Sequence, residues 1–211
     1  MGVKTVEYLR AIYPTGAPIF LKDVRIGRKS KSAIKQELYR AAKRGEISRE
    51  ANGVYFFPET NSFFPNLSFE QIVEKKYISD DCFNLSNSLI VYGYYSHLTA
   101  ANDLGLSTQV PAIVEIVTNK TSSKKRTIEL MGRKAIIRKS NVEITFQNWR
   151  ILQFFSALQC VEDKDVEERK EALKVYITKH FTKFLFTKYI SLFPNKVLRI
   201  LLKENLLDAF R

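Results

Sequence analysis

The sequence predicts an α+β protein built from two modules. Three observations lead to this prediction: apolar residues recur at helical spacing in the first 43 residues, an Asn-Gly hairpin signal follows at Asn52-Gly53, and the rest mixes strand-like apolar runs with a helical final fifty residues. With 45% hydrophobic and 12% aromatic residues over 211 positions, the chain has enough apolar side chains to form real cores. A globular protein is therefore expected.

Positive charge is concentrated at the amino-terminal end. The formal net charge is +12, and residues 1–58 hold twelve basic and five acidic side chains, a net charge of +7. The other 153 residues carry a net charge of +5. This asymmetry is typical of a chain in which one module binds a polyanion. Pro, Asn, Thr and Ser interrupt the periodic pattern at 58–68, which predicts two domains, residues 1–66 and 67–211.

Three helices are predicted in the first module. The first ends near Tyr13-Pro14, because proline and the following Thr-Gly stop a helix. A short second element, "PIFLKDVRI", follows, and the third helix starts at a cap on Ser30 or Ser32. The apolar spacing that supports the first and third helices comes from Val3, Val6, Leu9 and Ile12, and from Ile34, Leu38, Ala41 and Ala42.

A β-hairpin is predicted directly after the third helix. Gly45 ends the helix, and two extended runs, residues 46–50 and 54–57, surround Asn52-Gly53. Three helices followed by a hairpin is the element order of a winged helix-turn-helix. The full prediction is an N-terminal winged helix-turn-helix followed by an α+β C-terminal domain that ends in helices.

The polar face of the third helix is the candidate nucleic-acid surface. It combines cations with Ser, Gln and Tyr, which can read base edges, and Glu37 is its one acidic neighbour. Many charged helix faces are only solvated, and winged helices also dock proteins or RNA, so these alternatives stay open. The predicted DNA-binding residues are Lys22, Arg25, Arg28, Lys29, Ser30, Lys31, Ser32, Lys35, Gln36, Tyr39, Arg40, Lys43, Arg44 and Arg49.

The second module alternates strand and helix signals. A basic cluster, Lys124-Lys125-Arg126, is either a second anionic contact or a solvated turn. The predicted elements are a helix over 68–78, a strand-like run over 89–95, a helix from Ser96 to Leu104 closed by Gly105, a strand over 110–117, a basic loop over 120–126 between strands, a strand and a helix within 142–160, and helices over the last fifty residues.

No catalytic, metal or cofactor site is predicted. His97 and His180 lack nearby ligand partners in the sequence, and His97 is expected to be packed and hydrogen-bonded. Glu74-Lys75-Lys76 is the one Glu-x-Lys match, and it lacks the upstream strand carboxylate that metal-dependent nucleases use. Phosphate-binding glycine loops are also missing from the sequence.

The cysteines and apolar segments suggest a cytoplasmic protein. Cys82 and Cys160 have no C-x-x-C spacing, so two buried free thiols in a reducing compartment are expected. The amino terminus reads as an amphipathic helix, not a signal peptide, and no apolar run approaches the ~20 residues of a membrane span. Residues 179–188 place lysines among Phe181, Phe184 and Leu185, a pattern of either a membrane-surface helix or, as favoured here, a helix whose apolar face packs on the core.

Two segments resemble a known family. "YYSHLTAANDLGLSTQVP" (94–111) and "RGEISREANGVYFFPE" (44–59) are similar to the AbiEi-type antitoxins of bacterial abortive-infection systems. The resemblance covers both modules. It implies a winged helix that binds inverted repeats in double-stranded promoter DNA and represses its own operon. It also implies a C-terminal domain that neutralises a nucleotidyltransferase toxin, in the type IV manner, without a stable complex, and so limits phage spread.

The resemblance does not assign neutralisation to particular residues. Tyr94, Ser96, His97, Asn102 and Gln109 lie in the motif, but a motif rich in small and aromatic residues is also explained by helix-on-strand packing. Two other functions stay open beside the antitoxin and repressor: a nucleic-acid-processing enzyme with a nuclease-like second module, and an interaction module with no role on DNA.

Overall fold

The structure, a computed structural model of the chain, describes residues 4–58, 67–80 and 90–210. These residues form two compact units, one over 4–76 and one over 77–80 with 90–210. Most of the predicted linker lies outside the described residues, and the predicted boundary stays a prediction. The two units are described separately.

The first unit packs its first two helices on a small antiparallel sheet. The sheet has the strand order β1-β3-β2. Leu9, Ile34 and Leu38, which are fully buried, join Tyr55 of the sheet in one apolar core. The elements are α1 Thr5–Ile12, β1 Ile19–Phe20, α2 Lys31–Lys43, β2 Ser48–Ala51, β3 Val54–Phe56 and α3 Phe69–Tyr77, whose last residue belongs to the second unit.

Helix α2 is fixed by local chemistry at both ends. The Ser30 hydroxyl accepts a hydrogen bond from the Ala33 N–H at 3.2 Å, so Ser30 is the N-cap. At the other end Gly45 has φ +74°, and the N–H groups of Glu46 and Gly45 donate to the carbonyls of Ala41 and Ala42. This is a Schellman motif, which needs a left-handed residue at that position. The predicted helix and its closing glycine are confirmed.

The predicted hairpin is also confirmed. Ala51 pairs with Val54, so Asn52-Gly53 forms a two-residue turn, and Gly53 has φ +76°. The register shifts between Arg49 and Ala51, which marks an irregularity in β2. The tip of the hairpin is therefore tight and carries only small polar groups.

The predicted second helix of the first unit is wrong. "PIFLKDVRI" forms β1 followed by turns, and no helix lies between α1 and α2 within residues 4–58. Ile19 and Phe20 pair with Tyr55 and Val54 of β3 and are buried on the sheet. A short apolar run fits a helix or a strand equally well from its pattern, and here the sheet edge of β3 selects the strand.

The second unit holds a four-stranded sheet and a helical end. The sheet order is β6-β7-β9-β8; β7 and β9 run parallel and the other neighbours antiparallel. Its elements are β4 Ser79–Asp80, β5 Ile90–Val91, β6 Gly93–Tyr95, α4 His97–Asp103, β7 Ile113–Thr118, β8 Lys125–Leu130, β9 Arg133–Lys139, α5 Trp149–Leu158, α6 Asp163–Glu168, α7 Lys170–His180, α8 Lys183–Ile190, α9 Asn195–Lys203 and a final 3-10 helix, Leu206–Phe210.

Helix α5 is the centre of the second core. Every residue from Ile151 to Leu158 is buried, as expected of a helix that is apolar on nearly all sides. Phe155 meets Phe186 of α8 edge to face, with ring centroids 4.8 Å apart. The predicted helical end is confirmed and supplies one side of this core.

The strand predicted within 142–160, ahead of the helix, is wrong at residues 142–148. This segment is a loop whose backbone groups bond to asparagine side chains. Asn119 bonds both the N–H and the carbonyl of Ile144, and the Thr145 N–H donates to the Asn148 carboxamide at 2.8 Å. Because side chains satisfy these backbone groups, the loop does not need a strand partner.

Two smaller expectations need correction. Cys160 is exposed, because it lies in the turn after α5 and not on a packed face; Cys82 lies outside the described residues. Phe181 is buried and Leu185 half-buried, but Phe184 is 72% exposed, since α8 turns it away from the core. None of the helices in the described ranges has the length and apolar character to cross a membrane.

Candidate nucleic-acid interface

The polar face of α2 is a continuous exposed stripe. Side chains that are three or four residues apart in an α-helix lie on one side of it. The polar residues of α2 that follow its N-cap, Ser30, recur at these intervals. Over twelve residues the stripe is about 17 Å long at the helical rise. The exposed residues of α2 include Lys31, Ser32, Lys35, Gln36, Tyr39, Arg40 and Lys43, all of them predicted from the sequence.

A groove joins the start of α2 to the tip of the hairpin. It has a volume of about 430 Å³ and is lined by Ser32 from α2 and by Asn52-Gly53 from the turn. Four lysines line it as well, and within the described residues its lining includes no carboxylate. These lysines are Lys22, Lys31, Lys35 and Lys76. An anion in this groove meets a positive field and the amino-terminal end of a thirteen-residue helix.

Several cations on or next to this face are exposed and are not ion-paired within the described residues. Arg28, Lys31, Lys35 and Arg40 form no ion pair in the part of the chain that the structure describes. Lys43 lies over the Tyr39 ring at 4.9 Å, which leaves its charge at the surface. Their charges therefore face solvent and are available to phosphates.

Lys29 differs from the other predicted cations. It is half-buried, and its ammonium group lies 2.8 Å from one Glu37 carboxylate oxygen and 3.2 Å from the Thr5 hydroxyl, which also donates to Glu37. The hydrogen bond from Lys29, and then that from Thr5, hold the pKa of Glu37 below its usual value. The cluster ties α1 to α2, and it neutralises the acidic residue nearest the stripe.

Three predicted arginines also bond within the unit. Arg44 forms a two-pronged ion pair with Glu46, at 2.6 and 3.1 Å. Arg25 donates to the carbonyls of Lys22 and Val24, and Arg49 donates weakly to the hairpin turn at 3.4 Å. All three stay exposed, so their second donors can still meet a phosphate.

A second polar cluster lies in the other unit. Arg138 of β9 donates to one oxygen of Glu115 at 3.0 and 3.2 Å, and the same oxygen lies 3.7 Å from the His97 Nδ1. His97 has a left-handed φ of +53°, and its backbone N–H donates a hydrogen bond to the Ser156 hydroxyl at 3.0 Å. Burial lowers the pKa of His97. The charge of Glu115 raises this pKa, and the charge of Arg138 lowers it.

Sequence reasoning placed His97 as packed and hydrogen-bonded, which is confirmed, but it missed Glu115 and Arg138. These two residues lie 18 and 41 positions after His97 in the sequence. The signal that could have identified them is a single charged residue inside an otherwise apolar strand, as in "IVEIVT". A carboxylate at such a position needs a partner from a neighbouring strand.

The other motif residues divide between core and surface. Tyr94 and Ser96 are buried, and burial raises the pKa of Tyr94 well above its usual value. Asn102 is half-buried and donates to the Ser107 carbonyl at 3.1 Å. Gln109 is exposed on a loop that lines a cavity of about 380 Å³ with residues 160–169. Packing therefore explains Tyr94 and Ser96, which are covered and cannot meet a partner directly.

The comparisons with known proteins give one match. A family described as a family of unknown function, DUF6088, matches residues 6–183, and the chain belongs to that family. No curated protein and no solved structure matches the chain.

Proposed function

We propose that this member of the DUF6088 family is a sequence-specific DNA-binding protein whose first unit acts as a winged helix. In this proposal α2 enters the major groove, and the tip of the β2–β3 hairpin follows the adjacent backbone. The groove lined by four lysines, between the first turns of α2 and the hairpin tip, is the observation that carries the proposal.

Arg28, just before α2, and the side chains on α2 support roles in both affinity and sequence reading. Arg28, Lys31 and Lys35 are exposed cations without ion pairs in the described ranges, suited to phosphates. Gln36 and Arg40 are exposed further along the stripe, and both residue types bond to base edges. In place of a middle helix, residues 19–28 form β1 followed by turns, so the proposed winged helix is a reduced form.

The wider biological role rests on the resemblance of residues 44–59 and 94–111 to AbiEi-type antitoxins. We propose that the protein represses its own operon through inverted repeats. It also neutralises a nucleotidyltransferase toxin encoded beside it, without a stable complex, in the cytoplasm. Inverted repeats suit two copies of the chain on one duplex.

The test is fluorescence anisotropy of the purified chain on the DNA upstream of its gene and on a scrambled duplex, at two salt concentrations. We expect a large preference for the upstream DNA and a steep salt slope, because several lysines and arginines displace counterions from phosphates. Equal, weak binding to both duplexes would indicate that the α2 surface binds polyanions without regard to sequence.

Two further results would replace the proposal by a different one. Tight, salt-insensitive binding to the toxin without any preference for promoter DNA would indicate a protein-docking antitoxin. Cleavage of DNA that depends on Mg²⁺ or Mn²⁺ would indicate the nuclease-like enzyme instead.

A further inference from the structure

The β8–β9 hairpin holds a second concentration of positive charge. Residues 124–139 include seven lysines and arginines and one acidic residue, Glu129, a net charge of +6. The whole chain after residue 58 carries only +5, so the rest of that stretch is slightly acidic. This hairpin, which we call the basic ribbon (residues 124–139), is therefore the densest concentration of positive charge in the second unit.

The basic ribbon is an antiparallel pair in which β8 is largely exposed, whereas β9 is exposed only at Arg133, Lys134 and Lys139 and buries Ala135 and Ile137. Lys125 lies opposite Arg138, and Leu130 lies opposite Arg133 around a turn at Met131-Gly132. Strand β8 is the edge of its sheet. All of its residues are exposed except Ile128 and Leu130, which are half-buried. At the strand rise, the six paired residues extend about 20 Å.

Several cations of the basic ribbon are not ion-paired within the described residues. Lys124, Lys125, Lys134 and Lys139 are exposed and form no ion pair in the described part of the chain. By contrast Arg138 is paired with Glu115, and Arg126 donates to the Tyr77 hydroxyl at 2.9 Å. Lys125 and Arg138 place two positive charges directly opposite each other, an arrangement that costs stability in an isolated sheet.

Protection of the sheet edge does not account for the pattern. Lysines on an edge strand prevent pairing with other sheets, which explains Lys125 on β8. Lys134 and Lys139 lie on β9, which is an inner strand between β7 and β8. A charged surface on both strands of a ribbon is instead complementary to a polyanion.

We infer that the basic ribbon is a second binding surface for double-stranded DNA, and that the second unit contacts the duplex through it. The exposed edge strand β8, together with Lys134 and Lys139 near the two ends of β9, forms a cationic edge of the sheet that can lie along the phosphate backbone of a duplex. Its exposed lysines, Lys124, Lys125, Lys134 and Lys139, are suited to contacts with phosphates. The inference rests on the DNA binding proposed for the first unit and extends the contact to the second.

The test compares two variants of the full chain with equal loss of charge. Lys125→Gln with Lys134→Gln removes two cations that the strand register places on one face of the ribbon. Lys179→Gln with Lys183→Gln removes two exposed cations without ion pairs from the described helical end. Both pairs are measured by anisotropy against salt on upstream and scrambled DNA.

We expect the ribbon variant to lose about two phosphate contacts. Its salt slope should fall by about 1.8, and its affinity at low salt by about tenfold, on both duplexes. The helical-end variant should match the wild-type chain. Lys125→Arg with Lys134→Arg should restore the slope, and an unchanged thermal midpoint should show that the ribbon variant is folded.

The outcomes separate this inference from the proposed function. If the ribbon variant and the helical-end variant behave alike, the ribbon inference is overturned, whatever the wild-type preference for upstream DNA. If the ribbon variant loses its slope while the wild-type chain shows no preference between duplexes, the ribbon inference stands and the sequence-specific function fails.

Discussion

The exposed face of α2 and the polar cluster around His97 both gather charged side chains, but they use them in opposite ways. Lys31 and Lys35 of α2 have no ion pairs within the described residues, and they line an open groove. In the cluster, Arg138 bonds to Glu115, and the same carboxylate faces the imidazole. One set of charges is left for an external partner, and the other is satisfied inside the fold.

The difference shows how to separate a binding surface from a stabilising network. A charge with an internal partner contributes to folding, and removing its partner leaves an unsatisfied group. An exposed charge without a partner adds little to stability, so its effect should appear in binding. The Lys29–Glu37 pair follows the first pattern within the first unit, next to residues that follow the second.

The largest expected effect comes from reversing charge in the lysine-lined groove. Lys31→Glu with Lys35→Glu should weaken binding to upstream DNA by about hundredfold, because two phosphate attractions become repulsions. Thermal stability should change little, since both side chains are exposed and a carboxylate at position 31, in the first turn of α2, is favourable.

Anisotropy titrations at fixed salt, with a thermal melt of the same sample, measure both quantities. Lys179→Glu with Lys183→Glu is the matched control, with the same change in net charge. Equal losses in the two variants would show that only the total charge matters and that the groove is not the interface.

A smaller effect should distinguish base reading from phosphate binding on the same surface. Gln36→Ala should cost about 1–3 kcal/mol on upstream DNA and relax sequence preference. Arg28→Ala, just before the helix, should weaken upstream and scrambled DNA about equally. Competition titrations of both variants against both duplexes decide this, and equal losses for Gln36→Ala would remove Gln36 from the base-reading residues.

The smallest effect concerns pH and the cluster around His97. Burial lowers the pKa of His97, so the unfolded chain binds a proton more readily than the folded chain below about pH 6.5. Stability should therefore be fully present above that pH and should fall as the pH decreases. His97→Asn, which tolerates the left-handed φ, should make the decrease shallower.

Trp149, the one tryptophan, lies in α5 and reports on the second unit by fluorescence. Urea unfolding at pH 7.5 and 5.5 gives the change in stability for each variant. The difference in pH dependence between the wild-type chain and His97→Asn gives the contribution of His97, because both chains carry the same carboxylates. Identical pH dependence in the wild-type chain and the variant would contradict the role given to burial of the imidazole.

Much of the first unit was predictable because its signals are local. Ser30, Gly45 and Asn52-Gly53 each act on the backbone within a few residues, so the ends of α2 and the hairpin turn follow from the sequence. The apolar spacing of α2 likewise fixed which of its faces is exposed. The predicted stripe of α2 was therefore correct in composition and orientation.

The wrong predictions concern segments whose secondary structure depends on residues distant in sequence. The run "PIFLKDVRI" became a strand because β3 offered it a sheet edge more than 30 residues later. Residues 142–147 form a loop and not the predicted strand, because Asn119, more than 20 residues earlier, forms hydrogen bonds with the backbone of Ile144. Neither partner can be identified from the pattern of the segment itself.

The sequence by itself determined the two concentrations of positive charge, the capped helix α2, the hairpin that follows it and the helical end. These features depend on composition and on spacing within one or two turns. Only the tertiary structure decided which cations stay without a partner. It brought Thr5, Lys29 and Glu37 together and set Glu115 and Arg138 beside His97. An ion pair depends on the meeting of residues distant in sequence, so the free charges that define a binding surface are known only once the chain has folded.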